Sequence, residues 1–321
     1  MSRLQAVFKF DFMGHKKWWF GLSGAIILAG LVSLVVNGDG NPLDGLRYGL
    51  EFTTGTRIEV AFEGEASLAD VREVVTEAGH EGAQIQQVSQ VGDSDLGGFV
   101  IQTTELTPDD QAALKAALEE SFGIAEANGT QVYAQQTVGP TFGELVVEKS
   151  LQAAALAVLL ITAYVTLRFQ WRFAVGALVA VLHDLLIVIG VYSLTGREVT
   201  TATIAAILTF LGYSLYDTVI IYDRIRENMP KMSGVPFADI ANRSISQTLT
   251  RSLNTSFITL LPVISLLLFG GSTLKDFAFA LTVGLVSGAY STIFIASPIV
   301  TVLMEREPKY RRLAARAAEE A

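Results

Sequence analysis

The 321 residues carry 23 basic and 32 acidic side chains, a formal net charge of −9, with half of the residues hydrophobic and only 17% charged. Soluble domains carry about 25% charged residues, so two ordinary soluble domains are excluded, and the acidic balance speaks against a nucleic-acid surface, which needs a basic face. The absence of cysteine excludes disulfides, haem attachment and thiolate metal sites.

Residues 1–17 hold Arg3, Lys9, Lys16 and Lys17 and lead into an apolar run from Trp18 to Val36. A hydrocarbon core about 30 Å thick needs about 20 apolar residues at 1.5 Å each. A signal peptide begins in a similar way, but no small-x-small cleavage pattern follows. Residues 18–36 are therefore read as an uncleaved first transmembrane helix. Further apolar stretches at 148–167, 173–194, 201–222, 253–270 and 277–303 make six in all.

The segment 37–149 holds 20 acids and five bases, whereas 16 of the 23 basic residues fall in 1–17, 168–172, 223–252 and 305–321. The positive-inside rule then places both termini and the 223–252 loop in the cytoplasm and the acidic segment outside. The organisation expected is a cytoplasmic N-terminus (1–17), the first helix (18–36) and an extracytoplasmic domain (37–143). Transmembrane helices 2–6 (144–304) and a cytoplasmic tail (305–321) follow.

Within the outer segment, residues 57–62 alternate like a strand. Ser67 with Asp70 three residues on can cap a helix to about Ala78. Strands at 83–91 and 97–105 flank the turn-forming 92–98, Thr107-Pro108 opens a helix to about Phe122, and 130–138 closes as a strand. Strand–helix–strand–strand–helix–strand is the split βαβ order of a ferredoxin-like α+β domain. It contains no Ser-His-Asp set, metal cluster or phosphate loop, so an interaction domain is expected and no enzyme, cofactor or metal.

Charges inside a bilayer cost about 2.5–3.5 kcal/mol each on insertion scales and are usually functional. Asp184 sits near the middle of the third stretch beside His183, and Asp217 lies in the fourth among Tyr213, Ser214, Tyr216 and Thr218. A carboxylate taken out of water favours its protonated form, the chemistry a proton relay needs; cross-helix hydrogen bonding alone is the plainer role. Asp223, about 9 Å further along that helix, falls at the cytoplasmic edge. Arg251, followed by Ser252, Asn254, Thr255 and Ser256, either snorkels at the interface or turns inward to pair with Asp217. Gly176, Ala177, Ala180, Gly284, Ser287 and Gly288 allow close helix packing.

These motifs carry a family resemblance. GYSLYDTVIIYDRIREN (212–228) resembles the fourth-helix signature of SecF, a subunit of the SecD–SecF accessory complex of bacterial protein export. GLRYGLEFTTGT (45–56), the His183-Asp184 pair, LTRSLNTS (249–256) and LFGG (268–271) fall in matching order. The resemblance covers nearly the whole chain. It implies six helices of the resistance–nodulation–division type and a location in the bacterial plasma membrane. It also implies SecD and the SecYEG channel as partners, and use of the proton motive force to assist translocation of unfolded polypeptide. Carried over by residue, Asp217 matches the family's proton-path aspartate and Arg251 its partner arginine. Tyr216 stands where the family usually has Asn, and Glu51 and Thr54 where the outer motif has Asp and Gly. The length fits a stand-alone SecF, with a fused SecD half as the alternative. A small-molecule exporter of the same superfamily is the rival reading. An aspartyl protease lacks its Gly-x-Gly-Asp partner here and a metalloprotease its His-Glu-x-x-His.

Overall fold

In the computed structural model, residues 10–320 are described, apart from 93 and 95. Most of the expected N-terminal segment, with Arg3 and Lys9, and the centre of the turn at 92–98 therefore lie outside the described residues. Six helices are long and apolar enough to cross a membrane. The first five are α1 (Lys16–Asn37), α4 (Pro140–Arg168), α5 (Trp171–Thr195), α6 (Thr201–Lys231) and α7 (Phe237–Phe269). The sixth is continuous from α8 (Ser272–Ser291) through a π-helical segment (Thr292–Ala296) into α9 (Ser297–Glu305). Between α1 and α4 lie the shorter α2 (Leu68–Glu77) and α3 (Pro108–Phe122), and α10 (Pro308–Glu320) ends the chain. The chain is a polytopic helical membrane protein.

Residues 48–152, with 270–273, form one unit, and the other residues form a second. The first contains a four-stranded sheet of β1 (Gly55–Val60), β2 (Gln84–Val88), β3 (Gly98–Thr103) and β4 (Tyr133–Val138). Its spatial order is β2-β3-β1-β4, antiparallel throughout, with Ile101 of β3 opposite both Ile58 and Ile85. Because side chains alternate along a strand, Ile58, Val60 and Ile101 share a buried face with Val71 and Val75 of α2 and Leu114 and Leu118 of α3. Both helices start where local chemistry dictates. Ser67 and Asp70 close a capping box, and the Thr107 hydroxyl accepts the Asp110 amide ahead of Pro108. Thr130 and Gln131, expected within the last strand, instead pair with Ala127 and Glu126 in a small hairpin.

In the helical unit the spans outrun their apolar runs. The segment 223–252, expected as a loop, is helix on both sides of a short turn at 232–236. Glu227 explains the extension of α6: it pairs with Arg224 at 2.5 Å and Lys231 at 2.6 Å, at i−3 and i+4. Beneath these charges Tyr222, Ile225, Phe237, Ile240 and Ile245 share a buried cluster with Phe173 and Val300. Close approaches sit at small residues. A β carbon on Gly176 would meet the Tyr222 hydroxyl at 2.6 Å, and one on Gly284 the Phe210 ring at 2.2 Å. Asp223, expected at the membrane edge, pairs with Arg168 at 2.9 Å.

Candidate functional site

Asp217 is 1% exposed on α6. Its Oδ2 accepts the Ser252 hydroxyl at 2.8 Å and the Ser256 hydroxyl at 3.5 Å. These serines are i and i+4 on α7, so one face of that helix presents both. Oδ1 is buried and takes no hydrogen bond from the protein. A buried carboxylate oxygen without a donor is costly while charged, which makes this atom a natural place for a proton.

The residues expected around Asp217 mostly turn elsewhere. Ser214 donates to Asp184, the Thr218 hydroxyl meets that of Thr292 at 2.8 Å, and the Tyr213 hydroxyl accepts from Thr259. Asn254 is exposed. Arg251 is exposed as well, and its Nη2 donates to the Tyr216 hydroxyl at 3.4 Å. The structure therefore does not join Arg251 to Asp217. Residue 251 is about 100° around α7 from Ser252, so the face that holds the aspartate turns the arginine aside.

Asp184, fully buried on α5, has both oxygens engaged. Oδ1 accepts Ser287 at 2.6 Å and faces Nδ1 of His183 at 3.1 Å; Oδ2 accepts Ser214 and Ser291, each at 2.9 Å. Nε2 of His183 lies 3.1 Å from the Ser23 hydroxyl, which donates to the Tyr290 hydroxyl at 3.2 Å. Tyr290 in turn donates to the Trp19 carbonyl at 3.0 Å. Four segments of the fold (α1, α5, α6 and α8) thus meet at the His183–Asp184 pair. Ser23, Ser291 and Tyr290 were invisible to sequence reasoning, and Ser287 was read only as a small packing residue. The one available signal was the i, i+4 spacing of Ser287 and Ser291. Among the described residues no lysine or arginine forms an ion pair with either aspartate, and no cluster of three or more His, Asp or Glu could hold a metal.

Two carboxylates buried among hydroxyls, inside a bundle of helices long and apolar enough to cross a membrane, define a polytopic helical membrane protein with a polar interior. The model for protein export membrane proteins SecD/SecF, C-terminal part, matches residues 119–306. SecF of Streptomyces coelicolor is 36% identical over 312 residues, covering 95% of this chain and 79% of that protein. SecF of Petrotoga mobilis is 35% identical, covering 94% of this chain and 98% of its own. The crystal structure of SecDF from Thermus thermophilus matches with a TM-score of 0.77 at 35% identity, over 92% of this chain and 39% of that longer one. The chain belongs to the SecF family.

Proposed function

We propose that the protein is the SecF half of a complex that uses the proton motive force to assist Sec-dependent translocation across the bacterial plasma membrane. In this reading both termini and the 223–252 segment are cytoplasmic. Residues 37–143 form a ferredoxin-like extracytoplasmic domain, a reading supported by the strand order β2-β3-β1-β4. The partners are SecD, the SecYEG channel and the unfolded polypeptide in transit, with lipid around the helices.

One observation carries the reading: Asp217, buried between two membrane-crossing helices, keeps one oxygen free of any protein donor. Protonation removes the charge from that oxygen, and ionisation leaves a charge answered by the hydroxyls of Ser252 and Ser256 and, without contact, by the field of Arg251. One charge moved through 100 mV yields about 2.3 kcal/mol, enough to bias an equilibrium of similar size. The exposed Arg251, Tyr216 and Asn254, beside the apolar Leu253, Phe257 and Ile258, support a partner against α6 and α7. The Thermus relative, in which SecD and SecF are one chain, supports SecD in that role. Arg251 then reaches Asp217 only in another arrangement of the helices, after breaking from Tyr216. Gradient-stimulated export by proteoliposomes containing SecD, SecYEG and Asp217→Asn tests the proposal. Undiminished export at normal assembly would leave the aspartate as a structural acceptor.

A further inference from the structure

The hydrogen bonds around His183 can be followed donor by donor. Tyr290 has one hydroxyl proton, given to the Trp19 carbonyl at 3.0 Å. Ser23 has one, given to the Tyr290 oxygen at 3.2 Å. The Ser23 oxygen can therefore only accept from His183, so Nε2 at 3.1 Å carries a proton. On the other side of the ring, Nδ1 stands 3.1 Å from Asp184 Oδ1. A bare lone pair facing a bare carboxylate oxygen would repel, so a second proton lies between them.

We infer that the His183–Asp184 pair stores a releasable proton, the arrangement seen being the loaded one, and that Ser23 and Tyr290 sense its presence. The pair then holds two protons and is neutral as a unit, whichever partner owns the shared one. The serines at 214, 287 and 291 suit either form, because each donates to the carboxyl oxygens. When one proton leaves, the remaining one stays between Nδ1 and Oδ1 and Nε2 becomes an acceptor. Ser23 must then turn its hydroxyl towards the ring, and its bond to Tyr290 is lost. Release at α5 thereby loosens a contact between α1 and α8.

The groups bonded to the pair are Ser23 from α1, Ser214 from α6, and Ser287 and Ser291 from α8, with Tyr290 one bond further on and the Trp19 carbonyl two. Among the described residues Tyr290 is the one further titratable side chain bonded into this network. Asp217 sits three residues beyond Ser214 on α6, bonded to α7 instead. The inference deepens the relay reading but does not share its test. Export defects at Asp217 leave it unchanged, and a His183 that never protonates at Nε2 leaves Asp217 as it stands.

The experiment is nuclear magnetic resonance of the full chain in lipid nanodiscs, with histidine isotopically labelled at both ring nitrogens. The chain has three histidines, and His183→Gln identifies the signal. The titration runs about two pH units either side of the usual histidine value. Wild type is expected to carry its proton on Nε2 while the pair is loaded and to convert on release to the Nδ1–H form. Tyr290→Phe takes away the acceptor that favours the loaded arrangement, so conversion should occur at a proton concentration about tenfold higher, the effect of one hydrogen bond. An Nε2 without a proton throughout the wild-type titration would overturn the inference, and that spectrum decides even if the variant misfolds. A correctly folded Tyr290→Phe with an unchanged conversion would overturn it too.

Discussion

Gly30 on α1 and Gly190 on α5 meet backbone to backbone. A β carbon on Gly30 would stand 2.6 Å from the Cα of Gly190, and one on Gly190 2.9 Å from the Cα of Gly30. Neither helix can yield there, because the obstacle is main chain. Gly30→Ala or Gly190→Ala should destabilise the bundle by about 1–3 kcal/mol, seen as a lower melting temperature in detergent. Gly24→Ala, on the same helix with open space around it, is the control and should melt like the parent.

Thr54 adopts φ 62° and ψ 166°, a conformation that costs a β-branched residue about 1–3 kcal/mol. Its methyl group lies over Gly143, where an added β carbon would be 2.4 Å away, so glycine is what leaves room for it. Thr54→Gly should relieve the strain and, after the entropy added to the unfolded chain, gain about 1 kcal/mol. Hydrogen exchange of the Gly55–Val60 amides in the full chain should slow. Unchanged or faster exchange would mean that the surroundings already absorb the strain.

Asp217→Asn keeps an acceptor for Ser252 yet cannot ionise. Gradient-stimulated export should fall more than tenfold while co-purification with SecD persists. Arg251→Ala should be nearly as damaging, and Asp184→Asn milder. Ser252→Ala combined with Ser256→Ala removes both donors while leaving the carboxyl. Export there should keep part of its gradient response and shift its pH profile, since the ionised form loses its support.

Single cysteines at Asp109 and Ser233, both exposed, should react with an impermeant label from opposite sides of the membrane. No native cysteine interferes. Labelling from one side alone would overturn the topology derived from the lysine and arginine distribution.

Burial pushes the Tyr133 hydroxyl of β4 from 10.0 up to about 12. A folded value above the unfolded one means that the folded state holds this proton more tightly. The associated stability is complete below about pH 10 and is lost between about pH 10 and pH 12. Tyr133→Phe should flatten that loss. The check is urea unfolding followed by exchange in β4, at pH values across this window.

Much of this architecture could be read from residues close together in the chain. Ser67 with Asp70, and Thr107 with Pro108, place helix starts because a cap is chosen by its own next three residues. The apolar runs mark the spans, and Asp217 stands out because a charge there is costly. Its partners do not stand out: Ser252 and Ser256 lie 35 and 39 residues away. The rotation of α7 against α6 that selects them over Arg251 is a property of packing. The same holds for Asp184, whose serines come from two other helices and whose histidine reaches a third through Ser23. The extent of α6 escaped for another reason: Glu227, within the segment expected as a loop, ties the helix together through Arg224 and Lys231.

The π-helical segment of the last span has a consequence for insertions and deletions. Between Thr292 and Ala296 the backbone takes a wider turn, and the Ser297 hydroxyl reaches back to the Thr292 carbonyl at 2.9 Å. The wider turn absorbs one residue more than an α-helical turn would, so excising one residue there should restore a plain α-helix and leave everything beyond it nearly at its present angle. The same excision in the α-helical parts turns the rest of the span by about 100°. In the second case Val300, packed over Gly176, and Thr301, bonded to the Met13 sulfur, would swing off their partners. A frame shift of this kind is silent to hydropathy and damaging to the bundle. The span can therefore lose one residue at the π-helical segment with little change of register, whereas along its packed α-helical parts its length is fixed to the single residue.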